Sequence, residues 1–205
     1  MGPVTEPQTS FTVAEIEPID AYKLTTALVV PRPIGWIGTL SADGIANLAP
    51  YSFFNVMAND PPHVIFSPGG GRKDSLDNAR ATREFTVNIV TMETVAAMNS
   101  TAATIPADED EFEHAGLTKL DSTLISAPRV AECAATMECT VTDIVHIGRE
   151  GGGNHLVIGE VVAIHVADRL LDGTRVDQFD LKAVGRHAGS WYSDSSHLFD
   201  IDRPA

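Results

Sequence analysis

Lys73, Asp74 and Ser75 follow three consecutive glycines, Gly69 to Gly71, and the stretch from Arg72 to Arg83 holds four of the chain's 14 basic residues. That combination suits an anion. Glycines let backbone approach a ligand closely. A helix predicted over Leu76 to Arg83 points its first N–H groups outward, where its dipole favours negative charge. Lys73 adds a charge and Ser75 a hydroxyl, and Ser75 or Asp74 is expected to cap the helix. The pattern is a phosphate site without being a Walker loop, because no GxxxxGK[ST] occurs. Taken alone, the stretch reads as readily as a solvated surface loop.

A second stretch, Pro31 to Phe54, reads as a β-hairpin. Ile34 to Leu40 carries residues that suit a pleated strand. Ser41-Ala42-Asp43-Gly44 is a turn, with Gly44 able to take a positive φ. The return limb, Ile45 to Phe54, contains Asn47, Pro50 and Ser52. Proline cannot donate to a ladder, so Pro50 marks a bulge, an edge or a strand end. Pro31-Arg32-Pro33 interrupts the other limb. Backbone freed in this way, beside Trp36, Tyr51, Phe53 and Phe54, offers donors and acceptors to a flat polar ring. An ordinary core hairpin with a proline bulge has the same pattern.

The third stretch is the tail, Gly185-Arg186-His187-Ala188-Gly189, ahead of Trp191-Tyr192. It sets a cation between glycines, able to hold a carboxylate or phosphate, and also reads as a terminal strand with an exposed arginine. Other chemistry is sparse. The seven histidines are scattered and form no HExxH pair, so no metal is assigned. There is no G-x-S-x-G elbow. Asp108 to Glu111 lacks EF-hand spacing and reads as a solvated face.

A formal charge of −14 on 205 residues disfavours nucleic acid and anionic membranes as partners. No apolar run approaches ~20 residues, and the first residues lack the basic and apolar regions of a signal peptide. Cys133 and Cys139 are expected on one face of a strand, too far apart to bridge, as buried reduced thiols. A cytoplasmic location follows as the default. Residues 1–19 are expected to be a leader, 20–192 one domain and 193–205 a tail. Six or seven strands, short helices over Met92 to Thr104 and near Pro106 to Leu120, and no second hydrophobic core are expected. There is no βαβ alternation, so the fold class is mainly β: an antiparallel barrel with flanking helices at its side or mouth.

Together these stretches resemble the flavin reductase-like proteins. The resemblance rests on Pro31-Arg32-Pro33-Ile34-Gly35-Trp36-Ile37-Gly38-Thr39, then Asn47-Leu48-Ala49-Pro50-Tyr51-Ser52-Phe53-Phe54-Asn55. Asp60-Pro61-Pro62, Lys73-Asp74-Ser75 and Glu84-Phe85-Thr86-Val87-Asn88 follow in order. Asp110-Glu111-Phe112-Glu113, Gly116-Leu117 and Val184-Gly185-Arg186 complete the set over roughly residues 20 to 192. The resemblance implies an FMN-binding split β-barrel, a homodimer, and flavin near the subunit interface. It implies that Asn47 to Ser52 lies against the isoalloxazine and that the phosphate sits at Lys73 to Ser75, where many relatives have threonine in place of Ser75.

The candidate cofactor contacts are Arg32, Pro33, Ile34, Trp36, Asn47, Leu48, Ala49, Pro50, Tyr51, Ser52, Phe53, Ser67, Arg72, Lys73, Asp74, Ser75, Asn78 and Arg186. No catalytic acid or base is assigned, with His187 the one candidate for proton delivery. The function implied is an NAD(P)H-dependent flavin reductase, using FMN as cofactor and NAD(P)H as co-substrate, with a monooxygenase as a possible partner. Two other classes stay open: a flavoprotein electron carrier and a non-catalytic flavin-binding module. The lack of a triad or metal cluster suits a site where the cofactor carries the chemistry.

Overall fold

The computed structural model describes residues 6–69, 73–149 and 152–204. Helix α1, Pro18–Leu28, opens the fold. Pro18 sits in its first turn, where a missing N–H costs nothing. Thr25 and Thr26 donate their hydroxyls to the carbonyls of Ala21 and Tyr22, each at 2.8 Å. The four β-branched residues between Thr25 and Val30 obscure this helix in the sequence, and the boundary expected at residue 19 falls inside it.

The chain then forms β1 (Arg32–Pro33), β2 (Gly35–Leu40), β3 (Ala46–Tyr51), β4 (Phe54–Asn59) and β5 (Pro62–Phe66). Helix α2 (Asp74–Thr82), β6 (Glu84–Ile89), α3 (Val95–Ser100) and α4 (Glu111–His114) follow. Next come β7 (Lys119–Leu120), β8 (Arg129–Val130), β9 (Ala135–Ile147) and β10 (Asn154–Val166). The last elements are β11 (Leu171–Asp172), β12 (Arg175–Val176), α5 (Gln178–Leu181), β13 (Val184–Arg186) and β14 (Tyr192–Asp194).

Seven strands make one antiparallel sheet in the order β3-β2-β6-β9-β10-β5-β4. Its edge strands, β3 and β4, are consecutive in the chain with only Ser52 and Phe53 between them. The two edges therefore meet at that corner, and the sheet rolls into a barrel split between them. The hairpin of β2 and β3 forms as expected, with Gly44 at φ +84 in its turn. The return limb is shorter than expected, because the chain leaves the sheet at Ser52 and re-enters at the opposite edge as β4. Pro31 to Pro33 also leaves the hairpin: Arg32 pairs with Arg186 and Pro33 with Gly185 in a separate sheet of β1, β13 and β14.

The expectation of no second hydrophobic core is corrected. One cluster, around Ile37, Phe66, Phe85 and Val157, fills the barrel, with Leu76 and Ala79 of α2 closing it. Another, around Trp36, Leu48, Met98 and Phe112, lies on the sheet's other face under α3 and α4. Trp36 and Ile37 are adjacent in β2 and both fully buried, in different clusters. A strand buried on both faces loses the period-two signal that would reveal the second layer.

Inside the barrel, the Phe66 ring lies 5.1 Å from Phe85 and 5.4 Å from Tyr51. Gly159 is needed beneath Phe85, since an added Cβ there would come within 2.4 Å of the ring. Helix α3 is shorter than expected, while α4 forms and Gly116 follows it at φ +67. Cys133 precedes β9 and is only half-buried, so the two thiols do not share a strand; both are free. Burial pushes the Cys133 thiol up to about 12 and Cys139 higher still.

Candidate functional site

The site grows from the outer edge of β3. In an antiparallel strand the N–H and C=O groups of alternate residues point to the same side. Leu48 N donates to Glu111 Oε2 at 3.0 Å, away from β2. Pro50, two residues on, therefore faces the same outer side, and its missing N–H leaves the β2–β3 ladder intact. Along the outer edge the Leu48 carbonyl is enclosed and the Pro50 carbonyl is half-buried, with one N–H held by Glu111 and the other removed by proline.

Side chains alternate across this edge. Asn47 and Tyr51 turn toward α2, where Ser75 Oγ accepts from Asn47 Nδ2 at 2.9 Å and from Tyr51 Oη at 3.0 Å. Ser75 is 1% exposed. Its two lone pairs are taken by these partners, which leaves its own proton to donate. Burial pushes the Tyr51 phenol up to about 12; the Ser75 hydrogen bond pulls the other way, and the Glu111 and Asp74 charges add to the rise. Asn78, one turn on, donates to Thr39 Oγ1 at 3.1 Å and fastens α2 to the hairpin.

Helix α2 starts two residues earlier than expected. Lys73 occupies the N-cap position without a side-chain cap bond, and Ser75 lies inside the helix rather than capping it. Lys73 is exposed and Asp74 half-buried. Arg72 lies outside the described residues. The other two cations of the basic stretch are engaged away from this helix start: Arg80 pairs with Asp77 at 3.7 Å, and Arg83 donates to the carbonyls of Val141 and Thr142.

On the other side of the edge lies a cleft of ≈ 460 Å³. Ile34, Pro50, Ser52, Arg32, Arg186 and His187 line it, so the tail does reach the hairpin. Arg32 is 8% exposed and organises this region. Its Nη1 donates to Thr26 O at 2.5 Å and Val29 O at 2.9 Å, a cation on the last carbonyls of α1. Its Nη2 donates to His187 O at 3.1 Å, and Nε reaches Ser52 Oγ at 3.4 Å. Arg186 stacks on the Tyr192 ring, 4.4 Å from its centroid, and donates to Gly189 O. The His187 ring meets Ser193 Oγ at 2.8 Å.

Other candidates make contacts of their own. Trp36 is fully enclosed and donates its indole N–H to Thr101 Oγ1 at 2.8 Å. Leu48 is core, Phe53 lies 6.5 Å from the Tyr22 ring on the surface, and Ser67 donates its N–H to Phe53 O. Pro33 pairs with Gly185, and Ala49 faces Ile37 in β2.

Two groups escaped the sequence reading. Tyr22 and Lys23 of α1 line the cleft, hidden because α1 itself was hidden. Glu111 ends the acidic run expected on a solvated face; Asp108 and Glu109 are exposed, but Glu111 is 8% exposed and turned onto Leu48. Burial raises its carboxyl above the usual range, the Leu48 N–H opposes this, and Asp74 and Asp110 reinforce it. The usable signal was Asp110, which caps α4 through Phe112 N at 2.8 Å and so fixes which way its first residue points.

A family model for the flavin reductase like domain matches residues 27–180. Nitrilotriacetate monooxygenase component B from Bacillus cereus superposes with a TM-score of 0.92 at 36% identity, over 96% of this chain and 100% of that one. The Pseudomonas fluorescens 2-nitrobenzoate 2-nitroreductase gives 0.88 at 28% identity, over 96% of both chains. A split barrel domain protein from Shewanella frigidimarina gives 0.83 at 22% identity, over 96% of this chain and 100% of that one, which carries the fold alone.

Proposed function

The chain belongs to the flavin reductase like domain family, and from that premise we propose that it is an NAD(P)H-dependent flavin reductase that works with FMN. The observation that carries the reading is the knot of Asn47, Ser75 and Tyr51. It ties the outer edge of β3 to the first turn of α2, so a ring site and a phosphate site are held at fixed spacing. The polar groups suit FMN: the half-buried Pro50 carbonyl on the outer edge of β3 for a heterocycle, the Ser75 proton and the Lys73 amine for a phosphate. Bound flavin supplies a centre that accepts hydride from a nicotinamide. Lys73 and Ser75 hold the phosphate, with Arg72 as an added charge. Arg186 orients the second substrate by charge, with no proton transfer of its own.

The homodimer is part of the proposal. Leu28, Val56 and Met57 are each more than half exposed, and Tyr22 of α1 meets Phe53, just ahead of β4, with ring centroids 6.5 Å apart; a second copy would cover apolar surface of this kind. The relative named as a monooxygenase component supports a partner oxygenase that takes reduced flavin. The relative named for 2-nitrobenzoate extends the acceptors to be tested beyond free flavin. Among the described residues, no helix is long and apolar enough to cross a membrane.

The visible spectrum of the purified chain, followed by NADH and then NADPH under anaerobic conditions, tests the activity. Yellow protein that bleaches with either nucleotide supports the reading. Protein that holds FMN and stays yellow with both rejects the reductase assignment.

A further inference from the structure

Arg32 and Arg186 face each other in the β1–β13 register, and both line the cleft. Like charges directly opposite across paired strands destabilise the pair. Among the described residues, no carboxylate lies within 4.0 Å of either guanidinium, although the chain carries 28 acidic residues. Arg32 is charged and buried, yet its partners are carbonyls and one hydroxyl. These four bonds leave one Nη2 hydrogen of its five donors unused. Arg186 is met by a π face and one carbonyl. The remaining cation of the cleft, Lys23, already has Asp20 at 3.4 Å. The cleft therefore has one positive end without a counter-ion. Tyr22, Ile34, Pro50, Met98 and Tyr192 supply apolar and aromatic wall beside it. Its volume, ≈ 460 Å³, suits one small molecule.

We propose that this cleft binds a planar aromatic carboxylate, its acid group held by Arg186 and the spare Arg32 hydrogen and its ring against the aromatic walls. The inference rests on the flavin reading for its place beside the cofactor, and it names the class of second ligand for that same site. Such an acid neutralises the opposed guanidinium pair, as charge-assisted hydrogen bonds from arginine to carboxylate do well. An uncharged isostere leaves both cations without a counter-ion.

Isothermal titration of the full-length, FMN-loaded chain with benzoate and with benzamide tests this. Flavin loading is scored separately by the visible absorbance of desalted protein. Benzoate is expected to bind roughly 10- to 100-fold more tightly than benzamide. Arg186→Gln is expected to bring benzoate down to the benzamide level and leave benzamide unchanged. Equal binding of the two by wild-type protein, a comparison that needs no variant, overturns the proposal. So does benzoate that binds only flavin-free protein and is expelled by FMN, which assigns the cations to the flavin. Benzoate binding that Arg186→Gln leaves unchanged places the acid group elsewhere and also overturns it. If the chain loads no flavin, the flavin reading fails, and the same titrations on flavin-free protein still decide the cleft.

Discussion

Asn47 and Ser75 lie 28 positions apart in the chain, and Asn47 Nδ2 donates to Ser75 Oγ at 2.9 Å within the fold. Tyr51 Oη donates to the same oxygen, so one small hydroxyl joins the barrel edge to α2. Ser75→Ala leaves a buried amide and a buried phenol short of an acceptor. The expected loss is about 1–3 kcal/mol of folding stability, read from denaturant unfolding of the flavin-free chain. A change within experimental error would show that the knot is not what fastens α2.

Lys73 separates phosphate recognition from ring recognition. Lys73→Ala removes a charge-assisted hydrogen bond of about 1.5–3 kcal/mol, or roughly 10- to 150-fold in FMN affinity. Riboflavin, which has no phosphate, is expected to bind as it does to the wild type. Equal weakening of both flavins, measured by fluorescence quenching, rejects Lys73 as a phosphate ligand.

Glu111 makes folding depend on pH in a stated direction. Its carboxyl titrates above the ordinary range in the fold because it is buried. Between the unfolded and folded values the native state holds more protons than the unfolded one, so stability falls as pH rises through that window. Glu111→Gln keeps an oxygen for Leu48 N and removes the charge. The variant is expected to gain on the wild type as pH rises above about 4.3, with little difference below it. A parallel pH dependence in both proteins would contradict the assignment.

Glu138 is fully enclosed and accepts from Thr123 N and Leu124 N, each at 2.7 Å, and meets His165 Nε2 at 2.7 Å. It holds the loop before β8 against the barrel. Glu138→Gln weakens bonds to a charged acceptor, and the Thr123 and Leu124 amides are expected to exchange faster by an opening energy of about 1.5–3 kcal/mol. Native-state hydrogen exchange checks this, with Trp36 and Val87 in the sheet as unaffected references.

The proposed dimer is directly measurable. Sedimentation at micromolar concentration is expected to give twice the 21.9 kDa chain mass. Met57→Glu places a charge on this exposed apolar surface and is expected to shift the equilibrium to the monomer. A wild-type monomer with FMN bound would remove the dimer from the reading.

The amino-acid sequence by itself determined the hairpin of β2 and β3, the turn at Gly44 and the antiparallel barrel. Each rests on local chemistry: alternation, turn glycines and the exclusion of proline from central strands. It also marked Asn47, Pro50, Ser75 and Arg186 as residues of interest. Tertiary structure alone decided how they are shared between two places. Asn47, Tyr51 and Ser75 go to the α2 side, while Pro50, Ser52 and Arg186 go to the cleft, because one strand sends alternate side chains to opposite faces. Only the fold showed that Arg32 serves α1 and the tail, since its partners are carbonyls that carry no residue-type signal. It alone turned Glu111 inward, because a single helical turn, capped by Asp110, sets one acid of a charged run against the edge of β3. The second core layer was invisible for the same kind of reason: burial on both faces erases the periodicity that would announce it.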